Sequence, residues 1–149
     1  MTVSANFQVS ELLPQSGKMV LLDRILSVDD NSLSAELRVR YDGLLLGDQQ
    51  TVPSWAGIEY MAQAIAAFTG VKTKLAGEPI RLGFLLGARG YRSNVATFAV
   101  GAQLTVTVNK VFQDALLAVF ECRIQGENID IDARLNVYQP PPAIDQDHE

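Results

Sequence analysis

The chain has 149 residues, enough for one domain with a sizeable core and too few for two ordinary ones. Apolar residues make up 48% and charged residues 19%, which describes a folded globular protein and excludes a disordered chain. Lys and Arg total 12 against 17 Asp and Glu, a net charge of -5, and this sign excludes nucleic acid as a partner.

Residues 12–18 (L-L-P-Q-S-G-K) form a turn-rich lead-in. Residues 19–28 (M-V-L-L-D-R-I-L-S-V) read as a strand that ends at the turn Asp29-Asp30-Asn31. Leu33, Ala35, Leu37 and Val39 then alternate with Ser34, Glu36, Arg38 and Arg40, which predicts a second strand folded back as a hairpin. Residues 41–52, with Gly43 and Gly47, read as a loop.

The next segment, P-S-W-A-G-I-E-Y-M-A-Q-A-I-A-A-F-T-G over residues 53–70, is predicted to be a helix. Ser54, just after Pro53, is its expected N-cap, and the helix should end between Gly70 and Gly77. Ile58, Met61, Ala62, Ile65, Phe68 and Val71 recur at helical spacing, and the alanines between them let other backbone approach closely. Pro53, Ser54, Glu59, Gln63 and Thr69, with no one-sided excess of Lys or Arg, argue against a membrane span. Glu59 is the only charged side chain between Gln49 and Val71. An acid in so apolar a helix costs free energy unless it is neutralised or hydrogen-bonded, and such acids cluster at sites of chemistry. Gln63, four residues on, lies on the same face and can orient the carboxyl; Trp55, four residues back, can wall a pocket or pack in the core.

Residues 81–92 hold the mixed strand run R-L-G-F-L-L-G-A-R-G-Y-R. Three alternating strands follow, over residues 103–111, 117–125 and 129–137, joined by turns at Gln113-Asp114 and Gly126-Glu127-Asn128 as an antiparallel meander. The pattern predicts an α+β fold in which an antiparallel sheet wraps around one long central helix. It forms a single domain over residues 1–139, and residues 140–149 (P-P-P-A-I-D-Q-D-H-E after Gln139 at their head) make a disordered tail. Cys122, the single cysteine, falls in a strand and reads as a buried free thiol, so neither a disulfide nor a thiolate metal site is expected. The first residues, M-T-V-S-A-N-F-Q, do not look like a signal peptide, and a cytoplasmic protein is expected.

This element order, with P-x5-E-Y-M-A-Q-A-I-A-A over residues 53–67, resembles the hotdog fold and within it the β-hydroxyacyl-acyl-carrier-protein dehydratases. That family carries a proline six residues before a helical glutamate followed by Ala-Met-Ala-Gln; Tyr60 replaces the first alanine here. Leu13-Pro14, Leu21-Leu22-Asp23-Arg24, Gly83-Phe84 through Arg89, and Gly101-x-x-Leu104 are similar to its flanking elements. More narrowly, V-P-x-W-x-G-I-E-Y-M-A-Q-A-I-A-A resembles the ApeP-like dehydratase subfamily found with aryl-polyene biosynthesis.

The resemblance implies a dimer, joined sheet edge to sheet edge, that acts on β-hydroxyacyl or enoyl thioesters carried on the phosphopantetheine of acyl carrier protein. No metal or separate cofactor is implied. Glu59 would be the acid that protonates the departing hydroxyl, and the amide at Ser54 or Trp55 would polarise the thioester carbonyl. The family's histidine base is missing. It should lie near Leu45, where the loop reads D-G-L-L-L-G-D-Q-Q-T-V; the family's histidine after Leu-Pro is Gln15, and the sole histidine is His148. Two modes follow: weak catalysis alone as a homodimer, with Asp48 or another group as a stand-in base, or a heterodimer with a histidine-bearing related hotdog protein. Two other readings stand beside them, a thioesterase with Glu59 as base and a non-catalytic acyl-binding partner subunit. Finally, Lys72, Lys74, Arg81, Arg89 and Arg92 face only Glu78 within residues 72–92, and Arg89 and Arg92 are the candidates for docking the acidic carrier.

Overall fold

The computed structural model describes residues 8–13, 20–41, 50–77 and 84–138. Gln15, Leu45, Asp48, Glu78, Arg81, His148 and the tail from residue 140 lie outside them, so the expectations placed there have no structural counterpart.

The described residues open on a 3-10 turn, Val9–Glu11, whose end Leu12 is fully buried. Strand β1 is Arg24–Val28, shorter than the predicted strand. Leu21 and Leu22 are buried ahead of it, but the Leu21 N–H leaves the ladder to donate to Gln63 Oε1 at 2.8 Å. The turn is set by Asp29 Oδ1, which accepts the N–H of Asn31 (3.0 Å) and of Ser32 (2.8 Å), and β2 (Ser32–Arg38) returns antiparallel.

The predicted loop at residues 41–52 ends in a short strand, β3 (Thr51–Pro53). The helix then begins as a 3-10 turn, Ser54–Ala56, and becomes α1 at Gly57–Leu75. Ser54 is not the N-cap. Pro53 and Ala56 occupy the two cap positions, neither with a side-chain bond, and Ser54 already lies inside the turn with its N–H donated to Ala96 O at 2.9 Å. Lys72 and Lys74 fall in the last turn of α1, where cations offset the exposed carbonyls.

After the helix come β4 (Phe84–Ser93), β5 (Thr97–Ala99), β6 (Gln103–Gln113), β7 (Leu117–Gly126) and β8 (Ile129–Tyr138). Among the described residues, six strands form one antiparallel sheet in the order β1-β2-β6-β7-β8-β4, while β3 and β5 pair separately. Both short strands escaped the sequence reading, since three residues are too few to show a period. The expected β6-β7-β8 meander is present. Asp114 Oδ1 receives the N–H of Leu116 and Leu117 at its first turn, and Asn128 takes a left-handed φ of 59° at its second.

One face of the sheet is apolar: Leu33, Ala35 and Leu37 of β2, Leu104, Val106 and Val108 of β6, and Phe120, Cys122 and Ile124 of β7 are all buried. Helix α1 packs there with Met61, Ala64, Ile65, Ala67, Phe68 and Val71, and Phe68 meets Phe120 edge-on at 5.7 Å between ring centroids. Gly70 lets the helix approach the lead-in, whose Leu12 backbone carbon atoms lie 3.1 Å from where a Cβ would sit. The opposite face carries the charged partners of the alternation. Among the described residues, no helix is long and apolar enough to cross a membrane.

Candidate active site

Glu59 is the third residue of α1, in the first turn, near the positive end of the helix dipole. Its side chain is half-buried. Desolvation raises its pKa above the ordinary value, and a hydrogen bond from Gln63 works in the opposite sense as the smaller effect. Gln63 is 1% exposed and reaches two ways. Its Oε1 accepts the Leu21 N–H at 2.8 Å, which leaves its NH₂ to donate to Glu59. The amide therefore ties the acid to the segment ahead of β1, 42 residues away in sequence.

Ser54 and Trp55 immediately precede the helix. The Ser54 N–H is spent on Ala96 O at 2.9 Å, so of the two candidate amides the one belonging to Trp55 is the donor left for a substrate carbonyl. The Trp55 side chain is 47% exposed beside Glu59, which removes the core-packing alternative within this chain and leaves the ring at the surface of the site. Ile58, Ala62, Ala66 and Thr69 continue from Glu59 as a half-exposed stripe along one side of α1. Strand β4 is one of the two edges of the described sheet, β1 being the other, and it presents apolar surface, with Leu85 44% and Leu86 60% exposed.

Arg89 and Arg92 are three residues apart, a spacing that would point them to opposite faces of a regular strand. The ladder slips between them: Arg89 pairs with Arg134 and Arg92 with Asp132, so a bulge returns both to the outer face. They line an open groove of about 920 Å³ with Thr107, Asn109, Glu121 and Arg123, across the sheet from α1. Most of its charge is internally matched, by Arg92–Asp132 (2.9 Å), Arg123–Asp130 (2.9 Å) and Arg134–Glu121 (2.8 Å), whereas no acid pairs with Arg89 among the described residues. Lys72 and Lys74 lie elsewhere, at the helix end, with Lys74 3.4 Å from Glu11. The basic stretch of the sequence is thus dispersed in space.

Tyr91 was missed by the sequence reading. It donates a hydrogen bond to the Ser54 carbonyl, and its pKa is pushed up to about 12 by burial, so it stays a protonated donor. The signal was Gly90, a glycine inside a strand pattern, which marks bulges. No group of three or more His, Cys, Asp or Glu side chains suited to a metal occurs among the described residues.

The family model of the ApeP-like proteins, described as ApeP dehydratase, matches residues 7–148. The chain belongs to the ApeP-like dehydratase family. It is 35% identical to a chain of the dehydratase heterocomplex ApeI:P from Xenorhabdus doucetiae, covering 91% of this chain and 93% of that one with a TM-score of 0.82. A hypothetical thioesterase solved with coenzyme A from Streptococcus pneumoniae TIGR4 is 12% identical, covering 78% of this chain and 84% of its own at a TM-score of 0.58. The PaaI protein from the phenylacetic acid degradation operon of E. coli is 14% identical, covering 81% of each chain, also at 0.58. These two share the fold alone, and with them the architecture is that of a hotdog protein. No curated protein matches the chain.

Proposed function

We propose that this protein is the acid-bearing subunit of a dehydratase acting on β-hydroxyacyl and enoyl thioesters of acyl carrier protein in fatty-acid- or polyene-type biosynthesis. The carrying observation is Glu59, a desolvated carboxyl held by Gln63 in the first turn of α1. A raised pKa keeps such a group protonated nearer neutrality, which suits an acid that must give its proton away.

In the elimination, a base removes the α-proton and the electron pair flows toward the thioester carbonyl. The Cα=Cβ bond forms as the Cβ–O bond breaks, and Glu59 delivers a proton so that the hydroxyl leaves as water. The Trp55 N–H supports the charge that gathers on the carbonyl oxygen. Proton transfer of this kind calls for no metal or redox cofactor. The base comes from a second hotdog subunit that carries the histidine this chain lacks, paired along the β4 edge and covering the Ile58-to-Thr69 stripe; the similarity to a chain of the dehydratase heterocomplex ApeI:P supports such a pairing. Carrier docking is assigned to the outer face, with Arg89 leading because Arg92 is matched by Asp132. The setting is cytoplasmic.

Hydration of crotonyl-pantetheine, followed by loss of the conjugated absorbance, tests this. The chain alone should be nearly inactive and the complex with a histidine-bearing hotdog subunit active. Glu59→Gln in that complex should lose about 10²–10⁴-fold. Unchanged turnover in that variant would end the proposal, and release of free thiol instead of hydration would turn it to a thioesterase. Arg89→Glu should weaken carrier binding, and undiminished binding would remove the docking assignment.

A further inference from the structure

The mechanism above makes no use of Tyr91, yet this side chain is built into the start of the helix. Between Arg89 and Arg92 the register of β4 against β8 slips, and Gly90 there adopts φ 62°, a left-handed backbone that side-chain-bearing residues avoid. The bulge turns Tyr91 inward over Gly57. A Cβ on Gly57 would press against the Tyr91 hydroxyl and stand 2.9 Å from Ile124 Cδ1, so the glycine is what makes room for the phenol.

Ser54 is consequently gripped on both its polar backbone groups. Its N–H goes to Ala96 O at 2.9 Å, in the segment that follows β4, and its carbonyl accepts the Tyr91 hydroxyl beside the Gly57 N–H of the helix start. That carbonyl belongs to the same peptide group as the Trp55 N–H. The peptide group is planar and trans, so fixing the direction of the C=O fixes that of the N–H opposite it. A hydrogen bond received at the oxygen also polarises the N–H at the other end of the amide.

We infer that Tyr91 is a positioning residue, which orients and polarises the Trp55 amide through the Ser54 carbonyl so that this N–H meets the thioester oxygen. The inference rests on the dehydratase reading for the purpose of the amide, but not for its geometry. It also places the device on the edge strand to which a second subunit would pair, so the same strand carries the interface and the amide's support.

The test compares Tyr91→Phe, which keeps the ring over Gly57 and loses only the hydroxyl, with the unaltered full chain. The amide ¹⁵N and ¹H shifts of Trp55 are recorded in each. In the complex with a histidine-bearing hotdog subunit, kcat and KM for crotonyl-pantetheine are measured alongside. The Trp55 resonance should move while the Gln63 side-chain amide stays in place, and kcat should fall about tenfold with KM within about twofold. That is less than the ~10²–10³-fold cost of deleting an oxyanion donor outright, because the amide itself remains. Should Tyr91→Phe fold poorly, 3-fluorotyrosine at position 91 preserves shape and donates more strongly, and should move the Trp55 shift in the opposite sense. An unmoved Trp55 shift overturns the inference whatever the turnover. A moved shift with undiminished kcat overturns it as well, since the amide's orientation would then not serve the reaction. A moved shift in a protein that never hydrates the thioester sinks the dehydratase reading and upholds Tyr91 as the group that sets the amide.

Discussion

Replacing Gln63 by leucine separates the two bonds that this side chain makes. Leucine has nearly the same volume, so no large cavity opens, but the Leu21 N–H loses its acceptor in a place where Gln63 is 1% and Leu21 6% exposed. A buried donor left unsatisfied costs about 1–3 kcal/mol. At this chain length each kcal/mol lowers the melting temperature by about 2–4 °C, so Gln63→Leu should melt roughly 2–12 °C below the unaltered protein. The same change removes the bond that lowers the Glu59 pKa, leaving desolvation unopposed, so Glu59 should titrate at a higher pH. Thermal denaturation and a ¹³C carboxyl titration read the two effects separately. Gln63→Glu sharpens the comparison. Protonated, it mimics the amide, accepting from Leu21 and donating to Glu59; ionised, it sets a second carboxylate against the first, so the pair titrates jointly and stability falls as pH rises. A Gln63→Leu protein that melts within a degree of the original, with Glu59 titrating unchanged, would refute the bridge.

Glu59 itself should trade stability for chemistry. Its folded pKa lies above the ordinary 4.5, so the folded state holds the proton more tightly than the unfolded one, and stability is lost as pH rises through that window. Glu59→Gln should therefore melt higher than the unaltered chain at pH 8, with the gap closing as pH falls toward 4.5; a variant less stable at pH 8 contradicts this. Gly70→Ala should destabilise by about 1–3 kcal/mol in a urea titration, since its Cβ meets the Leu12 backbone and not a movable side chain. An unaltered midpoint would show that the lead-in does not pack there. Cys122 is 3% exposed and its thiol is pushed up to about 12 by burial, so Ellman's reagent should label it only on unfolding. Rapid labelling of the native protein would contradict the buried position.

The strands β2, β6, β7 and β8 and the body of α1 were legible in the sequence because their periodicity comes from one face being wet and the other dry. Glu59 stood out for the same reason, as the one charge in an apolar helix, and Gln63 followed from helical spacing. Tertiary structure decided the rest. Strand β1 begins only at Arg24, and ahead of it Leu21 donates to Gln63 across 42 residues, a pairing no local pattern encodes. The strands β3 and β5 exist only because they pair with each other. The Ser54 amide is occupied by Ala96, and a bulge at Gly90 both aligns Arg89 with Arg92 and turns Tyr91 onto the helix start. A chain advertises in its sequence which faces it will bury, since burial is a property of each residue's own transfer free energy. Which distant backbone group a given donor will meet depends on how the buried faces come together, and that is fixed only by packing.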